Sequence, residues 1–126
     1  MRLLRALIRN RAATATDHAD PGLRTRRYSA PLPLVREDAR EIADGGLAGW
    51  KVTDESEADG WIRAEATTRF FRFVDDVEIE LRADDGDRTR VDVRSASRVG
   101  VTDLGANARR IRRFLRQLDR AVAGGD

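Results

Sequence analysis

The stretch VDDVEIELRADDGDRTRVDVRSAS, residues 74–97, decides the fold. Val77, Ile79 and Leu81 alternate with Glu78 and Glu80. After the turn ADDGD, Val91 and Val93 alternate with Asp92 and Arg94. Alternation of period two marks a strand with one buried face. A glycine-bearing polar turn between two such runs marks a hairpin. The same phase carries Asp75, Ser95 and Ser97 to the apolar side. It sends Asp76, Arg94 and Arg98 outward, unless a bulge near the strand end re-aims Arg98.

Two further strands precede this hairpin. GWKVTD places Trp50 and Val52 on one face, and GWIRAEATT places Ile62, Ala64 and Ala66 on one face. ESEADG between them is a turn. Residues 35–44 are helical, with Val35, Ala39, Ile42 and Ala43 on one side and Gly45 and Gly46 as the stop. Residues 103–120 form the last helix, where Leu104, Ala108, Ile111, Leu115 and Leu118 make a core-facing stripe. RTRRYSA before the first helix can add an edge strand. The expected fold is α+β: a single antiparallel meander sheet of four to five strands with two helices on one face, in the order (β)-α-β-β-β-β-α. That order is similar to TBP-like and helix-grip folds, a likeness of architecture that licenses no function.

The opening MRLLRALIRNRAA reads as an amphipathic basic helix. Leu3, Leu4, Leu7 and Ile8 share one side and Arg2, Arg5 and Arg9 the other. Arg5 and Arg9 interrupt the apolar stretch, which argues against a signal peptide. Docking on the domain or a partner is favoured over lying on a membrane, because one short helix anchors weakly on lipid. Residues 1–23 are taken as this helix with its linker, and residues 24–122 as a single domain. Residues 1–13 are therefore expected to be dispensable for folding.

Composition narrows the chemistry. The chain of 126 residues has no cysteine and one histidine, His18, in a linker-like segment. Disulfides, thiolate catalysis and Cys-ligated zinc are excluded, and a Ser-His-Asp triad or histidine metal site is disfavoured. No metal or cofactor is expected. Net charge is +2, unevenly spread. Residues 1–29 carry seven Arg and two Asp, residues 30–102 eleven cations and seventeen acids, and residues 103–126 six Arg and three Asp. Basic ends around an acidic middle predict intramolecular pairing before a nucleic-acid partner. No apolar run approaches the length of a bilayer span, so a cytoplasmic location is expected, with peripheral membrane contact as the alternative.

One polar constellation stands out. On a helical wheel Asp103, Asn107 and Arg110 form a line bordering the apolar stripe. Gly100 suits the turn from strand to helix, and Gly105 suits close approach of helix to sheet. With Asp75, Ser95 and Ser97 in the inward phase, these groups converge where the last two strands meet the last helix. Polar groups at the edge of a core need partners. Phe70, Phe71 and Phe73 in RFFRF enter the third of these strands beside Asp75 as a candidate aromatic wall, with core capping as the plainer reading.

These residues carry a resemblance. FRFVDDVEIEL followed by VDVRSASRVGVTDLGANARRIRRFL resembles the family of domain of unknown function 1499, DUF1499. Its signature is an Asp-Asp pair on a strand, then Arg-Ser-x-Ser-Arg-x-Gly, then Asp-x-Gly-x-Asn-x-x-Arg. Here those positions are Asp75 and Asp76, then Arg94, Ser95, Ser97, Arg98 and Gly100, then Asp103, Gly105, Asn107 and Arg110. The resemblance covers about residues 24–120 and implies a family, not an activity.

The residues point first to a non-catalytic binding or interaction module whose polar seam is chiefly structural. The alternative is a small-ligand binding protein or an enzyme using Asp75 in a pocket at the seam. Adjacent strand carboxylates such as Asp75 and Asp76 face opposite ways and cannot act as a facing pair, so no catalytic residue is assigned. A further alternative is peripheral membrane or nucleic-acid contact through the arginine-rich helices, where Arg109, Arg112, Arg113, Arg116 and Arg120 face solvent. A homo-oligomer stays open.

Overall fold

The computed structural model describes residues 11–70, 72–98 and 105–124. The fold is α+β, with an antiparallel six-stranded sheet and two helices. In chain order the elements are β1 (Arg11–Ala13), β2 (Arg26–Tyr28), α1 (Leu32–Glu41), β3 (Trp50–Ser56), β4 (Trp61–Thr67), β5 (Val74–Asp84), β6 (Arg88–Ser97) and α2 (Ala106–Gly124). Strands β3 to β6 form the expected meander, and β1 and β2 both pair with the free edge of β6.

The β5–β6 hairpin follows the alternation of its sequence. Val77 lies opposite Ser95, Ile79 opposite Val93 and Leu81 opposite Val91. These face Ile62 and Ala64 of β4, Val35, Ala39 and Ile42 from the first helical segment, and Ile111, Phe114, Leu115 and Leu118 of α2, in one continuous core. Both helices thus cover the one apolar face, as they must when nothing else can bury it. Phe114 completes the helical stripe at spacings of three and four, and its ring stacks on Trp50 with centroids 5.6 Å apart.

Three features correct the expectations. The sheet has six strands, not four to five. The extra strand is Arg11–Ala13, the end of the segment expected to be an amphipathic helix. Its partners are Ala96, Ser95 and Arg94, far along the chain, and a three-residue strand has too few positions to show a period. Residues 1–10, with the rest of that expected helix, lie outside the described residues. Next, α1 begins at Leu32, behind Pro31 as N-cap, and its regular turns end at Glu41; a wide turn, Ile42–Gly46, follows, with Gly45 at φ 99°. Finally, a bulge between Val52 and Asp54 shifts the β3 register. It turns Glu55 toward Arg36 and Arg40 of α1, at 3.2 Å and 2.8 Å.

The connector before α1 folds back on the sheet. The hydroxyls of Thr14 and Thr25 both donate to Asp92 Oδ1, at 2.8 and 2.5 Å. Burial alone would raise the Asp92 pKa, but the two threonines and Arg90 together outweigh it and hold the carboxylate below its ordinary value. Gly22 sits where a Cβ would meet the Arg112 side chain at 2.8 Å. Arg112 is thereby free to reach Asp20 at 2.9 Å. Of the helix arginines expected to face solvent, Arg112 is this exception, half-buried against the connector.

Candidate functional site

The polar seam starts at the N-terminus of α2. The Gly105 carbonyl accepts the Arg109 N–H at 3.0 Å. Asn107, in the first turn, is 1% exposed. Asparagine is a poor helix former, but here it satisfies three groups. Its Oδ1 accepts from Ser95 Oγ at 2.6 Å and from the Arg110 guanidinium at 3.0 Å. Its Nδ2 donates to Ser97 Oγ at 2.9 Å. Arg110, one turn on, meets Asp75 Oδ2 at 2.7 Å. Asp75 and Ser95 are themselves buried. The seam therefore joins β5, β6 and α2 by charge-assisted and neutral hydrogen bonds at largely buried positions, where low dielectric strengthens each.

The sheet splits the remaining motif residues onto its other face. Asp76, Arg94 and Arg98 point outward and do not join the seam. Glu65 and Asp76 stand opposite each other across β4 and β5, and like charges so placed repel. Arg98 reaches from β6 to both, at 2.7 Å to each. Asp76 first, and Glu65 next, raise the Arg98 pKa above its ordinary value. Arg94 pairs with Glu78, which also takes Arg63 at 3.3 Å. This face is a solvated charge ladder that stitches three strands. Asp103 and Gly100 lie outside the described residues.

Above the seam the sheet and α2 diverge into a cleft of about 1400 Å³. Its floor is Asp75, Ser97 and Arg110, so the seam closes the core below and faces the cleft above. Leu47, Trp50, Ala66 and Phe73 give it an apolar lining. The rim carries Arg69 and Arg72 from the β4–β5 loop and Arg109 and Arg113 from α2. Gly49, at φ 86°, holds one wall close: its carbonyl accepts the Thr67 N–H at 2.9 Å, and a Cβ there would lie 2.5 Å from the Thr67 carbonyl oxygen. Arg72 adopts φ 59°, a left-handed conformation that costs a non-glycine residue about 1 kcal/mol.

The lining corrects the aromatic wall. Arg69, Phe70, Arg72 and Phe73 lie ahead of β5, which begins at Val74. Phe73 lines the cleft, but Phe70 is 82% exposed and does not. Phe71 lies outside the described residues. Trp50 joins Phe73 in the place that the sequence reading assigned to the three phenylalanines. The rim arginines were not singled out from the sequence as a site. The spacing of Ala106, Arg109, Arg110 and Arg113 on one side of α2 was the available signal. Among the described residues no group of three or more His, Cys, Asp or Glu is placed to hold a metal ion. Nor is any helix among them long and apolar enough to cross a membrane.

The model of the family described as "Protein of unknown function (DUF1499)" matches residues 7–118. The chain belongs to the DUF1499 family. The match reaches upstream of residue 24, where the sequence resemblance began, and takes in β1 and the connector. No curated protein matches the chain. Among solved structures it is similar to CalU16 from Micromonospora echinospora, at 15% identity and a TM-score of 0.46 over 90% of this chain and 93% of that one. It is also similar to TTHA0849 from Thermus thermophilus, at 12% identity and a TM-score of 0.44 over 81% of this chain and 96% of that one. The described residues of the DUF1499 motif thus divide between a buried seam under a cleft and an outer charge ladder.

Proposed function

We propose that this DUF1499 chain is a non-catalytic binding module whose cleft takes a small anionic amphipathic molecule. The observation that carries this reading is the composition of the cleft. Among the described lining residues, Lys51, Arg69, Arg72 and Arg113 stand beside one carboxylate, Asp75, which is already engaged by Arg110. Neither Arg72 nor Arg113 is ion-paired among the described residues. A concave site lined by one sign of charge concentrates counter-ions of the other sign. The apolar lining around Trp50 and Phe73 suits a short hydrocarbon or aromatic body behind an acidic head.

The seam is the hydrogen-bonded floor of this site. An enzymatic role for Asp75 as a general base would need its carboxylate free to accept a substrate proton, and the Arg110 pair works against that.

Titration calorimetry with decanoate and with a neutral sugar amphiphile of equal chain length tests the reading. Decanoate is expected to bind at least about tenfold more tightly, a difference of about 1.4 kcal/mol. Reversing Arg72 and Arg113 together (R72E/R113E) removes that preference while leaving the circular dichroism spectrum unchanged. Equal affinity for both amphiphiles, or no heat with either, would overturn the proposal.

A further inference from the structure

We infer that the cleft mouth is also a docking surface for an anionic lipid bilayer, with the β4–β5 loop as the contact. The inference stands apart from the identity of the cleft ligand. Among the described residues two large apolar side chains are exposed, Leu34 at 55% and Phe70 at 82%. Phe70 is the more exposed, and it sits in the loop between Arg69 and Arg72, both exposed. The Arg69 guanidinium lies 5.5 Å from the centre of its ring.

The loop is held in this pose from its base. The Thr68 N–H donates to the Phe73 carbonyl at 2.8 Å, and the Phe73 N–H donates to Thr68 Oγ1 at 2.8 Å. Arg72 in the left-handed region completes the reversal. Arg109 and Arg113 line the same cleft from α2 and extend the cationic rim across its mouth.

A single protruding aromatic among cations fits a bilayer better than a protein. A stable protein interface needs a broad complementary patch, about 800 Å² on each partner. A bilayer accepts one apolar side chain at the headgroup boundary and attracts the surrounding arginines through its anionic lipids. Each arginine near an anionic surface strengthens binding about fivefold, so Arg69 and Arg72 together supply a factor of about twenty-five.

Co-sedimentation of the full chain with phosphatidylglycerol and with phosphatidylcholine vesicles tests this. Binding to phosphatidylglycerol, lost in high salt and absent with phosphatidylcholine, is expected. Phe70→Ser should weaken it about tenfold, and R69E/R72E should abolish it. Because Phe70 does not line the cleft, the Phe70→Ser chain should bind decanoate as the parent does, which separates a failure of docking from a failure of the cleft. No sedimentation at low salt would overturn the inference. So would parental binding by both variants, which would move the contact elsewhere, for example to residues 1–13.

Discussion

Asp75 and Arg110 meet at 2.7 Å at the point where sheet and helix part, so one ion pair both closes the core and floors the cleft. Their side chains are 5% and 12% exposed. A pair so placed stabilises less than its geometry suggests while intact, but breaking it strands a charge. Asp75→Ala is expected to lose about 3 kcal/mol in urea denaturation. Adding Arg110→Met to that chain should recover most of the loss. Independent, additive effects of the two changes would show that the pair does not couple sheet to helix.

Asn107→Ala leaves Ser95, Ser97 and Arg110 short of a partner at a buried position. The expected loss is about 1–3 kcal/mol. A chain with an unchanged melting temperature would mean that the seam is not structural.

Asp92 makes the connector part of the acid response. Its folded pKa lies below the usual carboxylate value of about 4. Its contribution is therefore complete above that value and is lost as pH falls through the lower, folded one. Asp92→Asn should cost about 1 kcal/mol at neutral pH. Below about pH 4 the variant and the parent should converge in urea midpoint. Curves that stay parallel down to acid would contradict the assignment.

The strand Arg11–Ala13 predicts that the N-terminal segment is not wholly dispensable, contrary to the reading from sequence. A chain starting at Thr14 bares the β6 edge beside Ser95. It is expected to lose on the order of 2 kcal/mol, with amide exchange of Arg94–Ala96 accelerated. Unaltered stability would restore the sequence reading.

What could be read from sequence was whatever repeats locally. The phase of Val77, Ile79 and Leu81 placed Asp75 inward and Asp76 outward, and Ser95 and Ser97 followed Val91 and Val93. The i, i+3 spacing of Asn107 and Arg110 put them on one line facing these groups. Features that depend on a single distant contact stayed hidden. β1 has three residues and partners on the last strand. The bulge at Val52 and Asp54 re-aims Glu55 without changing residue type. The basic rim arises because Arg69 and Arg72 on a loop and Arg109 and Arg113 on a helix converge only after folding. Phe114 was legible at its spacing from Ile111 and Leu118, but its stacking on Trp50 was not.

The proposed function rests on binding of an acidic amphipathic molecule in the cleft above the Asp75–Arg110 pair. Amide chemical-shift mapping during titration with decanoate tests it most directly. Saturable shifts are predicted at Thr67, Thr68, Arg72, Ser97, Arg109 and Arg113, with the outer face at Glu78, Glu80 and Arg94 unmoved. Shifts confined to that outer face, or none at saturating decanoate, would contradict it.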